Sequence, residues 1–69
     1  MKLLTLHRQE LGWSKAELAR RSGLHPSQVG QIEAGRLVPY PVQLRRLAIA
    51  LGVREDESSR LLEELPTDH

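Results

Sequence analysis

Ser27, Gln28, Gly30 and Gln31 are the outward residues of a short segment, residues 26 to 34, in which Val29 and Ile32 recur at helical spacing and turn inward. Hydroxyl and amide groups donate and accept hydrogen bonds without titrating near neutrality, so their chemistry is recognition rather than proton transfer. His25 adds a further polar group at the start of the segment. Nothing else in the chain turns this set into catalysis. Ser14, Ser27, Ser58 and Ser59 suit caps or helix surfaces, with no nucleophile and base in register. His7, His25 and His69 lack metal-ligand spacing, and the absence of cysteine removes thiolate ligands and disulfides alike. There is no glycine-rich phosphate loop. The sequence therefore predicts no enzyme, cofactor, metal or small-molecule site.

The elements that position the polar set can be read from Ser14 to Gly35, as two short amphipathic helices joined by a tight turn. Ser14, with Glu17 three residues on, forms a capping box that starts the first of them. Leu18 and Ala19 share its inner face, and Gly23 permits the positive φ that reverses the chain. His25-Pro26 opens the second, since proline at the first helical position loses only an N–H that had no partner. The whole pattern predicts helices over about 2–11, 14–22, 26–34, 41–51 and 54–65 within one domain, 1–65, followed by a disordered tail, 66–69. Leu4 and Leu11 lie one heptad apart on the core side of the first helix, beside Leu3, whereas Leu6 falls off that stripe. Trp13 reads as an apolar staple after the Gly12 break. Leu44, Leu47, Ala48 and Leu51 make the buried stripe of the fourth helix, and Val53 plugs the core. Glu55, Asp56 and Glu57 open the fifth, where acids favour the helix dipole, and Leu61, Leu62 and Leu65 form its apolar face.

At 69 residues the chain is one small domain, a size that buries only about 60% of the surface its unfolded chain exposes. With no Phe, one Trp and one Tyr, its core must come from Leu, Ile, Val and Ala, which suits short packed helices. No apolar run approaches the length of a membrane span and no signal-peptide pattern is present, so a cytoplasmic protein is expected. The net charge of +1 conceals a division. Residues 1–51 carry eight Lys and Arg against three acids, and residues 52–69 carry two Arg against six acids. The basic part contains the two-helix unit, as a polyanion-binding face requires.

Several residues fall at offsets that belong together: AELA at 16–19, Gly23, Val29, Ile32, the Ile-Glu-Ala-Gly ending at Gly35, Pro39, and LAIALGV at 47–53. With these the chain resembles the helix-turn-helix of the lambda repressor and Cro (Xre) family over residues 3–58. The resemblance implies an all-α, five-helix lambda-repressor-like fold whose third helix, 26–34, lies in the DNA major groove. It implies base-reading roles for Ser27 and Gln31, then Gln28 and His25; glutamine can pair bidentately with adenine, while serine is permissive. It implies phosphate contacts for Lys15, which stands where the family often has glutamine, and for Arg36. Tyr40, just before Pro41 opens the fourth helix, is placed either to reach a phosphate from the loop or to cover the core. It also implies a structural pair between Arg8 and Glu33, against the alternative that Arg8 reaches a phosphate. The implied function is a repressor-like, sequence-specific regulator, acting as a homodimer on an inverted repeat of double-stranded DNA. Its dimer surface would come from whichever of Leu6, Leu61, Leu62 and Leu65 the core leaves over. Departures at Pro26 and Gly30, the sparse base-reading set and the acidic C-terminal helix support an alternative: a docking or antitoxin-type module that binds a protein partner without reading DNA.

Overall fold

The computed structural model describes residues 1–66; residues 67–69, which hold most of the expected tail, lie outside them. Among the described residues there are five helices and no strand: α1 (Leu3–Glu10), α2 (Lys15–Ser22), α3 (Pro26–Glu33), α4 (Pro41–Leu51) and a 3₁₀ helix, α5 (Glu55–Leu62). Each helix sends at least one side chain into a common core. Leu4, Leu18, Val29, Ile32, Leu47 and Leu61 are fully enclosed there, with Ala19, Ala48, Leu44 and Leu51 around them. No side chain in this set is longer than leucine or isoleucine, so the helices can be short and still meet.

The α2–α3 unit is fixed by its caps. The Ser14 hydroxyl oxygen accepts a hydrogen bond from the Glu17 amide at 3.0 Å. The reciprocal half of the expected capping box does not form, because the Glu17 carboxylate accepts from Arg20 and Arg21 instead. At the far end Gly23 takes φ +75°, and the Leu24 amide donates back to the Ala19 carbonyl at 2.9 Å. Ser22 is buried beside it, its hydroxyl donating to the Leu18 carbonyl at 2.7 Å, so its polarity is satisfied within the helix.

Arg8 ties α1 to α3. Its Nε and Nη2 donate to the two carboxylate oxygens of Glu33 at 2.7 and 3.1 Å, and Nη1 donates to the Trp13 carbonyl at 2.7 Å. The side chains are 11% and 6% exposed, so the pair lies inside the protein. Trp13 packs on the core, with the Arg21 guanidinium 4.4 Å from its ring centroid.

Two expectations are corrected. Leu11 is 47% exposed rather than in the core, because α1 ends at Glu10 and Leu11 serves as its C-cap before Gly12 turns the chain at φ +73°. The C-terminal element is a 3₁₀ helix that stops at Leu62, not an α-helix to 65. Its buried residues are Ser58 and Leu61, three apart, and a helix of three residues per turn stacks such a pair on one face. Glu63 is then extended; its carbonyl accepts from the Leu3 amide at 2.9 Å, and Glu64 forms an isolated antiparallel bridge with Lys2. Leu65 continues this pairing, its amide donating to the Met1 carbonyl at 2.7 Å. Of the leucines considered for a dimer surface, Leu61 is fully buried and Leu6, Leu62 and Leu65 are half-buried, so none is a free apolar residue.

Candidate nucleic-acid interface

The outward ridge of α3 begins at Ser27 and Gln31, opposite buried Val29 and Ile32. Its first turn is closed by its own polar residues. The His25 Nδ1 accepts from the Ser27 amide at 3.2 Å and lies 2.8 Å from the Ser27 hydroxyl, while the Gln28 side-chain oxygen accepts from the His25 amide at 2.9 Å. His25, Ser27 and Gln28 thus form one capping network, with Gln28 half-buried. Gln31 differs: it is exposed, and no hydrogen bond among the described residues engages its amide.

Cations flank this ridge. Lys15 opens α2, where the first backbone N–H groups have no helical partners. Its stem lies along α3: a Cβ placed on Gly30 would sit 3.9 Å from the Lys15 Cδ, an ordinary contact. Gly30 has ordinary helical geometry, so neither backbone strain nor crowding within the protein calls for glycine there. Beyond the other end of α3, Gly35 takes φ +78° and the amides of Arg36 and Leu37 both donate to the Gln31 carbonyl, at 2.9 and 3.3 Å. This places Arg36 on an exposed corner one turn past Gln31. Tyr40 is the N-cap residue of α4 and 72% exposed, so it does not cover the core. Lys15, Arg36, Arg45 and Arg46 have no ion pair among the described residues, unlike Arg8, Arg20, Arg21, Arg54 and Arg60.

The structure therefore brings His25, Ser27 and Gln28 into one network, sets Lys15 against α3, and holds Arg36 and Tyr40 on the loop that follows. The family model described as a helix-turn-helix domain matches residues 2–61, nearly all of the chain. The chain belongs to the helix-turn-helix domain family. It is also similar to an uncharacterized HTH-type transcriptional regulator of Methanothermobacter thermautotrophicus, with 37% identity over 62 residues that make up 90% of each protein. No solved structure matches.

In this helix-turn-helix, sequence reasoning passed over an exposed apolar set. Val38 is 79% exposed and Ile49 60%, with Val42 also in solvent. The signal was available in α4, where Val42 and Ile49 are apolar, seven residues apart and off the Leu44, Leu47, Ala48 and Leu51 stripe. Among the described residues no helix is long and apolar enough to cross a membrane, and no group of His, Cys, Asp or Glu is arranged to hold a metal ion.

Proposed function

We propose that the chain is a sequence-specific, DNA-binding transcriptional regulator of the lambda repressor and Cro type. It works in the cytoplasm as a repressor-like homodimer on an inverted repeat, with α3 of each copy in a major groove. The observation that carries this reading is the Gln31 amide, exposed and uncommitted on α3, between the unpaired cations Lys15 and Arg36. A free glutamine amide matches the N6 and N7 edge of adenine, and the flanking cations match phosphates. The name of the related regulator supports the same class. Lys15 and Arg36 set position and salt dependence, Gln31 selects sequence, and Tyr40 extends the phosphate contacts. Ser27, Gln28 and His25 act chiefly by holding the first turn of α3 in shape.

That involvement of three polar residues in the cap favours a second reading, a docking module that retains the fold and binds a protein. Selection from a random-duplex pool near physiological salt, followed by anisotropy titration, separates the two. The regulator reading expects an enriched inverted repeat bound at least about a thousandfold tighter than scrambled DNA. It also expects Gln31→Ala to lower affinity for that repeat while sparing the scramble. Enrichment of no sequence, with weak salt-sensitive binding only, would leave the docking reading.

A further inference from the structure

The exposed side of α4 has no use in DNA reading as described above. Val42, Arg45, Arg46 and Ile49 follow one another at helical spacing on this side and all face solvent. Arg45 and Arg46 have no acidic partner among the described residues. Beside Ile49 the surface falls into an open concavity of about 390 Å³, walled by Arg20, Arg21, Gly23 and Arg46. The Glu17 carboxylate is shared between Arg20 and Arg21, so these walls carry a net positive charge. The concavity is lined from the C-terminal end of α2, away from Lys15 at the other end.

The complementary charge lies on the next element. Past the Gly52 turn, α5 opens with Glu55, Asp56 and Glu57, all exposed, and Glu55 has no ion pair among the described residues. Asp56 pairs with Arg54 and Glu57 with Arg60, all of them exposed, whereas Glu55 stays unpaired and no ion pair among the described residues joins α5 to Arg45 or Arg46 of α4. A two-fold axis joins the two surfaces twice, basic to acidic and acidic to basic, and closes the assembly.

We propose that a second copy of this chain docks on the α4 face: the two Ile49 side chains meet near the axis, and the Glu55–Asp56 corner of each copy enters the arginine-walled concavity of the other. Isoleucine supplies the desolvated centre and the charges supply orientation and register around it. The interface deepens the regulator reading, which needs two copies, but forms without DNA. A stable interface of ordinary size covers roughly 800 Å² per partner, a large share of a surface of 4546 Å². The proposed dimer is held by one apolar pair with charges around it, so it is reversible and weakens as salt rises.

The test is sedimentation equilibrium of the full chain without DNA, at low and high salt. The wild type is expected to show concentration-dependent dimerisation that salt weakens. Ile49→Glu, a substitution at an exposed site, is expected to weaken the dimer about thirtyfold with unchanged circular dichroism. The decisive arm uses two charge-reversed chains. Arg45→Glu/Arg46→Glu leaves both surfaces acidic, and Glu55→Lys/Asp56→Lys leaves both basic. Each alone is expected to be monomeric, and a mixture of the two is expected to form a one-to-one heterodimer. A wild type that stays monomeric at all concentrations overturns the proposal, as does a dimer that none of these substitutions weakens. Failure of the duplex selection with the dimer intact would instead overturn the DNA reading alone.

Discussion

Arg8→Ala removes the one cation that both neutralises Glu33 and closes the Trp13 carbonyl. The Glu33 side chain is 6% exposed and loses two charge-assisted hydrogen bonds at 2.7 and 3.1 Å, while the Trp13 carbonyl loses one at 2.7 Å. Removing one partner of a buried pair costs about 3–5 kcal/mol, because the remaining charge stays desolvated. A domain of this length has roughly 3–10 kcal/mol of stability in all, at 0.05–0.15 kcal/mol per residue. The substitution is therefore expected to remove about three-tenths or more of that total and, at the low end, to unfold the protein at room temperature. Urea denaturation followed by circular dichroism measures it directly from the midpoint at constant slope. A second variant isolates the cause: Arg8→Met with Glu33→Gln removes both charges and recovers much of the loss, since an apolar stem facing a neutral amide leaves no ion behind. A loss below about 1 kcal/mol for Arg8→Ala, the range of an exposed pair, would refute the reasoning. So would a double variant no more stable than the single one.

Other positions give expectations of different sign. Gly30→Ala should raise stability by about 1 kcal/mol, since glycine is a poor helix residue and the new Cβ meets only the Lys15 stem at 3.9 Å; an unchanged or lower midpoint would contradict this. If α3 approaches the groove wall at this position, the same variant should bind the selected duplex more weakly despite its greater stability. Arg36→Ala should weaken binding to selected and scrambled DNA alike and flatten the slope of log affinity against log salt by about one, as anisotropy titration would show. Glu17 has its carboxyl held below the ordinary 4.5, chiefly by the Arg21 hydrogen bond and then by that of Arg20. A lowered carboxyl contributes stability that is fully present above its unfolded value and is lost as pH falls through the folded one. Thermal melts from pH 6 to pH 3, bracketing the ordinary carboxylate range of about 4, should therefore show a smaller acid loss in Glu17→Gln than in the wild type.

Where the helices begin and end was largely legible, because the punctuation is chemical. Ser14 accepts from Glu17, Gly23 and Gly52 take φ of +75° and +76°, and Pro26 and Pro41 stand at first helical positions. What periodicity could not show was how tightly a helix winds. The Ser58–Leu61 pair and the leucines after it fit an α-helical stripe on paper, and the structure uses a three-residue turn followed by an extended strip on Lys2. Leu11 misled for a related reason, since a heptad partner of Leu4 counts only if the helix reaches it. The candidate site was legible as a list of residue types but not as a set of partners. Glu17 has Ser14 as a possible cap partner and two arginines as possible ion-pair partners, all within a turn, and the guanidiniums hold it.

The same competition decides what α3 can offer a ligand. Gln28 reads by residue type as an equal of Gln31, yet its carbonyl oxygen already accepts from the His25 amide. A base that claimed this oxygen would strip a cap bond with a net worth of about 0.5–1.5 kcal/mol and leave an N–H to find water. Gln31 has no such competitor, so the full value of a bidentate contact there, about 1–3 kcal/mol, is available for discrimination. Ser27 is intermediate, because its hydroxyl can keep its contact with His25 and still offer a lone pair outward. Side chains held by a cap lose little further freedom on docking, which lowers the entropic cost of the contacts they do make. On the proposed reading, readout by this helix concentrates at Gln31, on a frame that its capped neighbours hold.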